Sequence, residues 1–304
     1  MRCKKARIYN IGVVRQELVQ LDRTVGCGPA DVGSIPTLLT GADMSIPKDI
    51  MRENKPLSEW AIVIGYRGSI AHGTYLGTKD IHATDDKDVM AISVPPRDYY
   101  IGLDTYGFGK KGTQEIFKGE WDIVCYETLK AIKMLMKGNP NVLMMLWLPE
   151  NAYIYKSPAG QLLLSHRYLF DGKHTYKSFV GYARGQLHRM THGAHQGYMG
   201  AKRKELFRRY GYDLKNASHL IRLLRMAVEY LSLGELHVFR KDASELNDIK
   251  RGRWSLKEVE DEARRLFGLA DKALIASHLP PGPDKKSIHR LCMDIIETAW
   301  RERG

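Results

Sequence analysis

The run "EWAIVIGYRGSIAHGTYLG", residues 59–77, constrains the fold of this chain more than any other stretch. Ala61 to Gly65 is an apolar run of the length of one buried strand. It breaks at Gly68-Ser69 and continues as a short helix predicted from Ile70, with Ser69 as its N-cap. A strand, a glycine turn and a helix start bring unpaired backbone N–H groups and the positive end of the helix dipole to one place, which suits an anion. Glycine-serine turns are common, so this one takes its meaning from what lies beside it.

After a polar loop comes "DDKDVMAI", Asp85 to Ile92, acidic at its start and then fully apolar. In a strand, Asp86 and Asp88 point to one face and Asp85 to the other. Two such carboxylates repel and push one pKa upward, so they persist in solvent, against cations or around a metal. A third predicted strand, "GEWDIVCYE", carries Asp122 on a face with Glu120 and Val124, where β-branched residues are expected. Three carboxylates from two strands beside a phosphate-binding turn form the donor set of two-metal phosphoryl or nucleotidyl transfer. Magnesium takes oxygen ligands, and two such ions brace the entering hydroxyl and the leaving pyrophosphate.

The chain has 304 residues and a formal net charge of +12, which favours a polyanionic partner such as nucleic acid, a nucleotide or an anionic surface. The excess concentrates after residue 170, whereas Asp80 to Asp122 is comparatively acidic. Four scattered cysteines (Cys3, Cys27, Cys125, Cys292) form no CxxC pair, which argues for reduced thiols, a cytoplasmic setting and no structural zinc. Apolar runs are too short to span a bilayer. Residues 12–41, within the stretch 1–43, are dense in glycine and proline and lack periodicity. They read like a tRNA gene translated in frame, so the expectation is a disordered or non-native extension, with translation starting at Met44 or Met51. Such a leader would suit a mobile-element or phage neighbourhood.

A helix is predicted from near Thr128, with Asn139-Pro140 as its stop and the start of the next, and a loop near Ser157 to Gly160. Beyond it the pattern is helical. Phe179, Tyr182, Ala183, Gln186, Leu187 and Met190 form one stripe, in which Tyr182 could stack on a base and Gln186 bond its edge, or both could simply pack. In "YDLKNASHLIRLLRMAVEYL" the apolar side runs from Leu214 to Val228, and Lys215, His219 and Arg222 share a polar face at i, i+4 and i+7. "GAKRKELFRRYG" packs Lys202, Arg203, Lys204, Arg208 and Arg209 too densely for mutual pairing, as either a track for a nucleic-acid backbone or a solvated face. Two further helices, one capped near Ser255, close the chain.

The ordered set Gly68-Ser69, Asp86-x-Asp88 and Asp122 resembles the polymerase-β-type nucleotidyltransferase superfamily. More closely, "GSIAHGTYLG", "DDKDVMAI", "KGNPNVLMMLW" and "GYDLKNASHLIRLLR" resemble its RNA-repair-associated RlaP family, from about Ile62 to at least Gly252. The resemblance implies an α+β fold: a nucleotidyltransferase domain with a small mixed sheet over residues 44–155, then an all-helical domain over 156–304. It implies that Gly68 and Ser69 hold a triphosphate, that Asp86 and Asp88 bind two magnesium ions (manganese as the alternative), and that Asp122 binds the catalytic ion and helps deprotonate an acceptor hydroxyl. Lys215, Asn216, His219 and Arg222 of "KNAxHxxRL" would contact the triphosphate or the acceptor's phosphate. The implied reaction moves an NMP from an NTP, ATP among them, to a hydroxyl, with an RNA end such as that of tRNA as the favoured acceptor. Transfer to a small molecule or a protein side chain, and a catalytically inactive RNA- or nucleotide-binding protein, remain the rivals. The segment between Ser69 and Asp86 is longer than the superfamily's compact form, which leaves its part in the pocket open.

Overall fold

Five strands form one mixed sheet: β1 (Ala61–Tyr66), β2 (Lys87–Ser93), β3 (Thr113–Lys118), β4 (Trp121–Glu127) and β5 (Tyr153–Lys156), in the spatial order β3-β4-β2-β1-β5. The structure is a computed structural model that describes residues 45–77, 80–84, 86–102, 112–192 and 200–304. The expectation for residues 1–43 and the reading of Asp85 lie outside the described residues. β1 is buried along its whole length, as its unbroken apolar run requires of a central strand. It pairs antiparallel with both β2 and β5, while β2 and β4 are parallel and β3 folds back antiparallel on β4. β2 begins at Lys87, so Asp86 stands one residue before the strand that the sequence started at Asp85. β3 and β5 escaped the sequence reading, since both are edge strands with largely exposed or half-buried residues and no apolar run.

Helices α1 (Lys48–Glu53) and α2 (Lys55–Ser58) precede the sheet, α3 (Gly68–Ala71) follows β1, and α4 (Arg97–Ile101) follows β2. After β4 come α5 (Thr128–Met136) and α6 (Pro140–Leu143), the latter capped by Asn139, whose Oδ1 accepts from the N–H groups of Asn141 and Val142. The expected loop at Ser157 to Gly160 is instead the start of α7 (Pro158–Ser165). Ser157 caps it with its hydroxyl, and Pro158 takes the first turn, where no N–H is missed.

The remaining helices are α8 (Thr175–His192), α9 (Ala201–Tyr210), α10 (Leu214–Leu233), α11 (Ala243–Lys250), α12 (Leu256–Ala276) and α13 (Lys285–Arg303). α10 packs against α8, α11 and α12 and buries fifteen of its twenty residues, so it is the core of the helical half. α12 starts at a capping box between Ser255 and Glu258, as its sequence predicts. α13 returns to the sheet body: Trp300 Nε1 donates to Pro95 O at 3.0 Å and Arg303 to Val94 O at 2.6 Å. One hydrophobic core runs through both halves. Among the described residues no helix is long and apolar enough to cross a membrane, and Cys125 and Cys292 are buried free thiols.

Candidate active site

β1 leaves the sheet at the edge where β2 and β4 enter it, and that crossing builds the site. The Arg67 N–H donates to Asp88 O at 3.0 Å, extending the β1–β2 ladder to the turn. Gly68 then takes a left-handed φ of +59°, and a Cβ there would lie 2.0 Å from Asp88 Oδ2. Only glycine fits, both for its conformation and for the closeness of the carboxylate. α3 starts at Gly68 with Arg67 in the cap position and no side-chain cap bond, so Ser69 is not the N-cap the sequence suggested. The Ser69 hydroxyl is instead buried with no hydrogen-bond partner among the described residues, at the wall of a cavity.

Asp88 and Asp122 are direct neighbours in the parallel β2–β4 register, so their side chains emerge on the same face. Arg67 reaches across both: its Nη2 lies 2.8 Å from Asp122 Oδ1 and 3.5 Å from Asp88 Oδ1. Asp86 is exposed at the mouth of the same cavity. Burial, opposed by Arg67 and Lys215 and reinforced by the charges of Asp122 and Asp86, pushes the Asp88 carboxyl up to about 6.

The cavity, of about 270 Å³, lies between the sheet end and α10. Gly68, Ser69, Asp86, Asp88 and Asp122 line one side, and Lys215, His219 and Arg222 line the other. The polar face of α10 is therefore turned inward, onto the cavity. Arg222 is 7 % exposed, and among the described residues its guanidinium donates only to the thioethers of Met144 (3.5 Å) and Met226 (3.4 Å). Burial, with the charge of Arg240 second, pushes its pKa down to about 9, which still leaves it a cation at neutral pH. Burial and then Arg222 hold His219 well below the usual histidine range, and the same two causes act on His72. Neutral His72 donates from Nδ1 to Val238 O at 2.9 Å, since a carbonyl can only accept. Met144, Met145 and Leu148 add an apolar wall. A buried cation without a carboxylate, an orphaned hydroxyl and a carboxylate cluster at opposite walls suit a polyanion carried with a divalent cation.

Residues 64–251 match the family model RlaP, the RNA repair pathway DNA polymerase beta family, a span that holds every residue of this cavity. The chain belongs to the RlaP family. No curated protein matches it. Membership in a polymerase β-type family linked to RNA repair makes the chain a nucleotidyltransferase in the broad sense.

Within this RlaP cavity the residues singled out from sequence divide. Gly68, Ser69, Asp86, Asp88, Asp122, Lys215, His219 and Arg222 converge on it. Asn216, Tyr182 and Gln186 do not line it. Asn216 donates to Asp213 Oδ2 at 2.9 Å, completing the cap of α10. The Tyr182 hydroxyl accepts from Asn141, which does line the cavity, at 3.4 Å, and Gln186 is buried in α8. On α9, Arg203 is spent on Asp213 at 2.6 Å and Lys202 donates to Asp80 O at 3.2 Å, while Arg208 and Arg209 are exposed. Arg67, His72 and Lys250 were not anticipated. Arg67 had one available signal, a basic residue abutting the glycine turn that faces two aspartates.

The long Ser69–Asp86 segment also finds its place. Lys250 Nζ donates to Thr74 O at 2.7 Å and Lys215 Nζ to Thr84 O at 2.8 Å. Arg251 pairs with Asp80 at 3.0 Å, and His82 shares a hydrogen bond with the Tyr210 hydroxyl at 3.0 Å. Cations of the helical half thus hold Thr74, Asp80 and Thr84 in place; Thr74 lines the cavity, and His82 and Thr84 line a small hollow that shares Lys215 and Lys250 with it.

A hard divalent cation fits the donor set, because magnesium is held by one or two carboxylates together with substrate phosphates. Among the described residues no group of three or more His, Cys, Asp or Glu side chains is arranged to hold a metal. Of the three aspartates that line the cavity, Asp122 takes the 2.8 Å hydrogen bond from Arg67 and Asp88 its 3.5 Å approach, and no contact of Arg67 reaches Asp86 among the described residues.

Proposed function

We propose that this chain transfers an NMP unit from an NTP to the hydroxyl of an RNA end, tRNA in the first place, and releases pyrophosphate. What carries the reading is a single cavity in which the Gly68-Ser69 turn and three aspartates face a buried, acid-free Arg222. Ser69 Oγ and the backbone at the turn bind the triphosphate, and Lys215 and Arg222 neutralise it from the opposite wall. Asp86 and Asp88 would hold magnesium, which supplies charge neutralisation at the phosphates. The acceptor oxygen attacks the α-phosphorus, the bond from that phosphorus to the bridging oxygen breaks, and the hydroxyl proton passes to Asp122, which Arg67 orients. Most of the rate enhancement comes from positioning and electrostatics. Exposed Arg208 and Arg209 extend the positive surface beside the wall formed by Asp80 to Thr84 and favour a nucleic-acid acceptor.

Radiolabelled NTPs with magnesium, offered total RNA, protein and small hydroxyl compounds, test the reading. Label should enter RNA, and Asp86→Ala with Asp88→Ala should abolish it while RNA binding is kept or strengthened. Label in protein or small molecules would move the acceptor, and labelling by the double variant at the wild-type level would remove these aspartates from the chemistry.

A further inference from the structure

Among the described residues Arg67 is the cation that bridges two of the three aspartates. Its place there is fixed by the fold: its backbone N–H is bonded to Asp88 O at 3.0 Å, and the next residue is the glycine pressed against Asp88 Oδ2. From that anchor the guanidinium makes a full charge-assisted hydrogen bond to Asp122 Oδ1 at 2.8 Å and a looser approach, 3.5 Å, to Asp88 Oδ1. Its Nε is buried with no partner among the described residues, so the charged head is directed at the acids rather than shared with other acceptors. Asp122, the most distant of the three acids along the chain, is thereby neutralised by the protein itself.

We propose that Arg67 replaces one of the two divalent cations expected at such a site, so that the enzyme works with a single ion held by Asp86 and Asp88. This rests on the nucleotidyltransferase reading above. A second ion entering between Asp88 and Asp122 would meet a fixed positive charge and have to break the bond to Asp122 Oδ1. An ion between Asp86 and Asp88 has no 2.8 Å bond to break, since Arg67 only approaches Asp88 Oδ1, at 3.5 Å. Asp86 is exposed at the cavity mouth, and Asp88 Oδ1 at its longer distance from Arg67 keeps a lone pair for another partner. Arg67 supplies a delocalised positive charge beside the Asp122 carboxylate, the neutralising part of what an ion on that side would bring, and it cannot lose its proton at working pH. Its role is positional: it holds and neutralises Asp122.

Manganese counting separates the alternatives. Free Mn²⁺ is measured by electron paramagnetic resonance while the full chain is titrated with a non-hydrolysable α,β-methylene NTP present. The wild type should bind one Mn²⁺ per chain, and Arg67→Ala and Arg67→Gln should each bind a second. Asp122→Asn should keep the one ion, because Asp122 is not among its ligands, and Asp88→Asn should lose it. Two ions on the wild type, or loss of the ion in Asp122→Asn, would overturn the proposal while leaving NMP transfer as measured. A wild type that binds no ion and transfers no NMP would overturn both this proposal and the functional reading beneath it.

Discussion

At the scale of single residues, Asp88 carries the conflict between folding and function. Its carboxylate is mostly buried, lies beside two other acids and sits against Gly68, and its pKa rises from 3.8 to about 6. A carboxyl whose folded-state pKa lies above its unfolded value binds more protons when folded, so its favourable contribution is complete below about pH 4 and disappears as pH rises through 6. At pH 7 the ionised group therefore weighs against the fold, by roughly 3 kcal/mol at one unit per 1.4 kcal/mol, an upper figure given the partial exposure. Without divalent cations, Asp88→Asn should raise the melting temperature at pH 7.5, and its advantage should shrink toward zero by pH 4. Thermal denaturation across that range is the measurement, and a constant gap would mean that Asp88 is not the titrating group. A strained charge kept at a cost to stability is what a cation site requires before its ion arrives.

At the scale of elements, α10 holds two buried arginines three residues apart with opposite surroundings. Arg225 is met by Asp242 at 2.8 Å, Glu245 at 2.6 Å and Glu262 at 3.2 Å, whereas Arg222 meets only sulfur. Replacing a buried charge that has no acid partner by a side chain of similar volume is neutral or stabilising, while removing the centre of a buried acidic cluster strands the acids and costs about 3–5 kcal/mol. Arg222→Met should therefore melt at or above the wild-type temperature and bind Mg·NTP at least tenfold more weakly by calorimetry, and Arg225→Met should melt well below it. Equal destabilisation by both would make Arg222 structural. The same helix shows where the sequence was legible. Its heptad-like apolar side, the Gly68-Ser69 break and the acidic start of β2 were visible because each is a local pattern. That His219 lines a cavity and Arg222 is buried was hidden, because period alone places residues on a face and does not say what covers that face. Arg67 was hidden for a related reason: its meaning comes from the parallel register of Asp88 with Asp122, a pairing across 34 positions of chain that no local spacing records. β3 and β5 were missed because edge strands need no continuous apolar run.

At the scale of the whole molecule, the net charge of +12 is not a uniform coat. Four of the cations hold the two halves together, Lys215, Lys250, Lys202 and Arg251 bonding Thr84, Thr74 and Asp80, while Arg203 is held by Asp213 within the helical half. What remains for a polyanion on α9 is its outer side, where Arg208 and Arg209 are exposed and no acid among the described residues pairs with either. Arg209 also lies over the ring of Tyr210, at 5.4 Å, which keeps its side chain along the surface. A small hollow lined by Arg203, Leu206, Lys215 and Lys250 joins α9 to the cavity, since Lys215 and Lys250 line both. On the proposed function, a single-stranded RNA tail would cross α9 on its way to the aspartates. Each phosphate so neutralised contributes about 0.7 to the slope of log K against log salt for a single strand. Arg208→Ala with Arg209→Ala should lower that slope by about 1.4 in fluorescence-anisotropy titrations of a short single-stranded RNA at rising KCl, and should leave Mg·NTP affinity unchanged because neither residue lines the cavity. An unaltered slope would place the RNA path elsewhere on the surface. A parallel loss of nucleotide affinity would mean that α9 acts on the cavity wall, through Lys202 and Asp80, rather than on the acceptor.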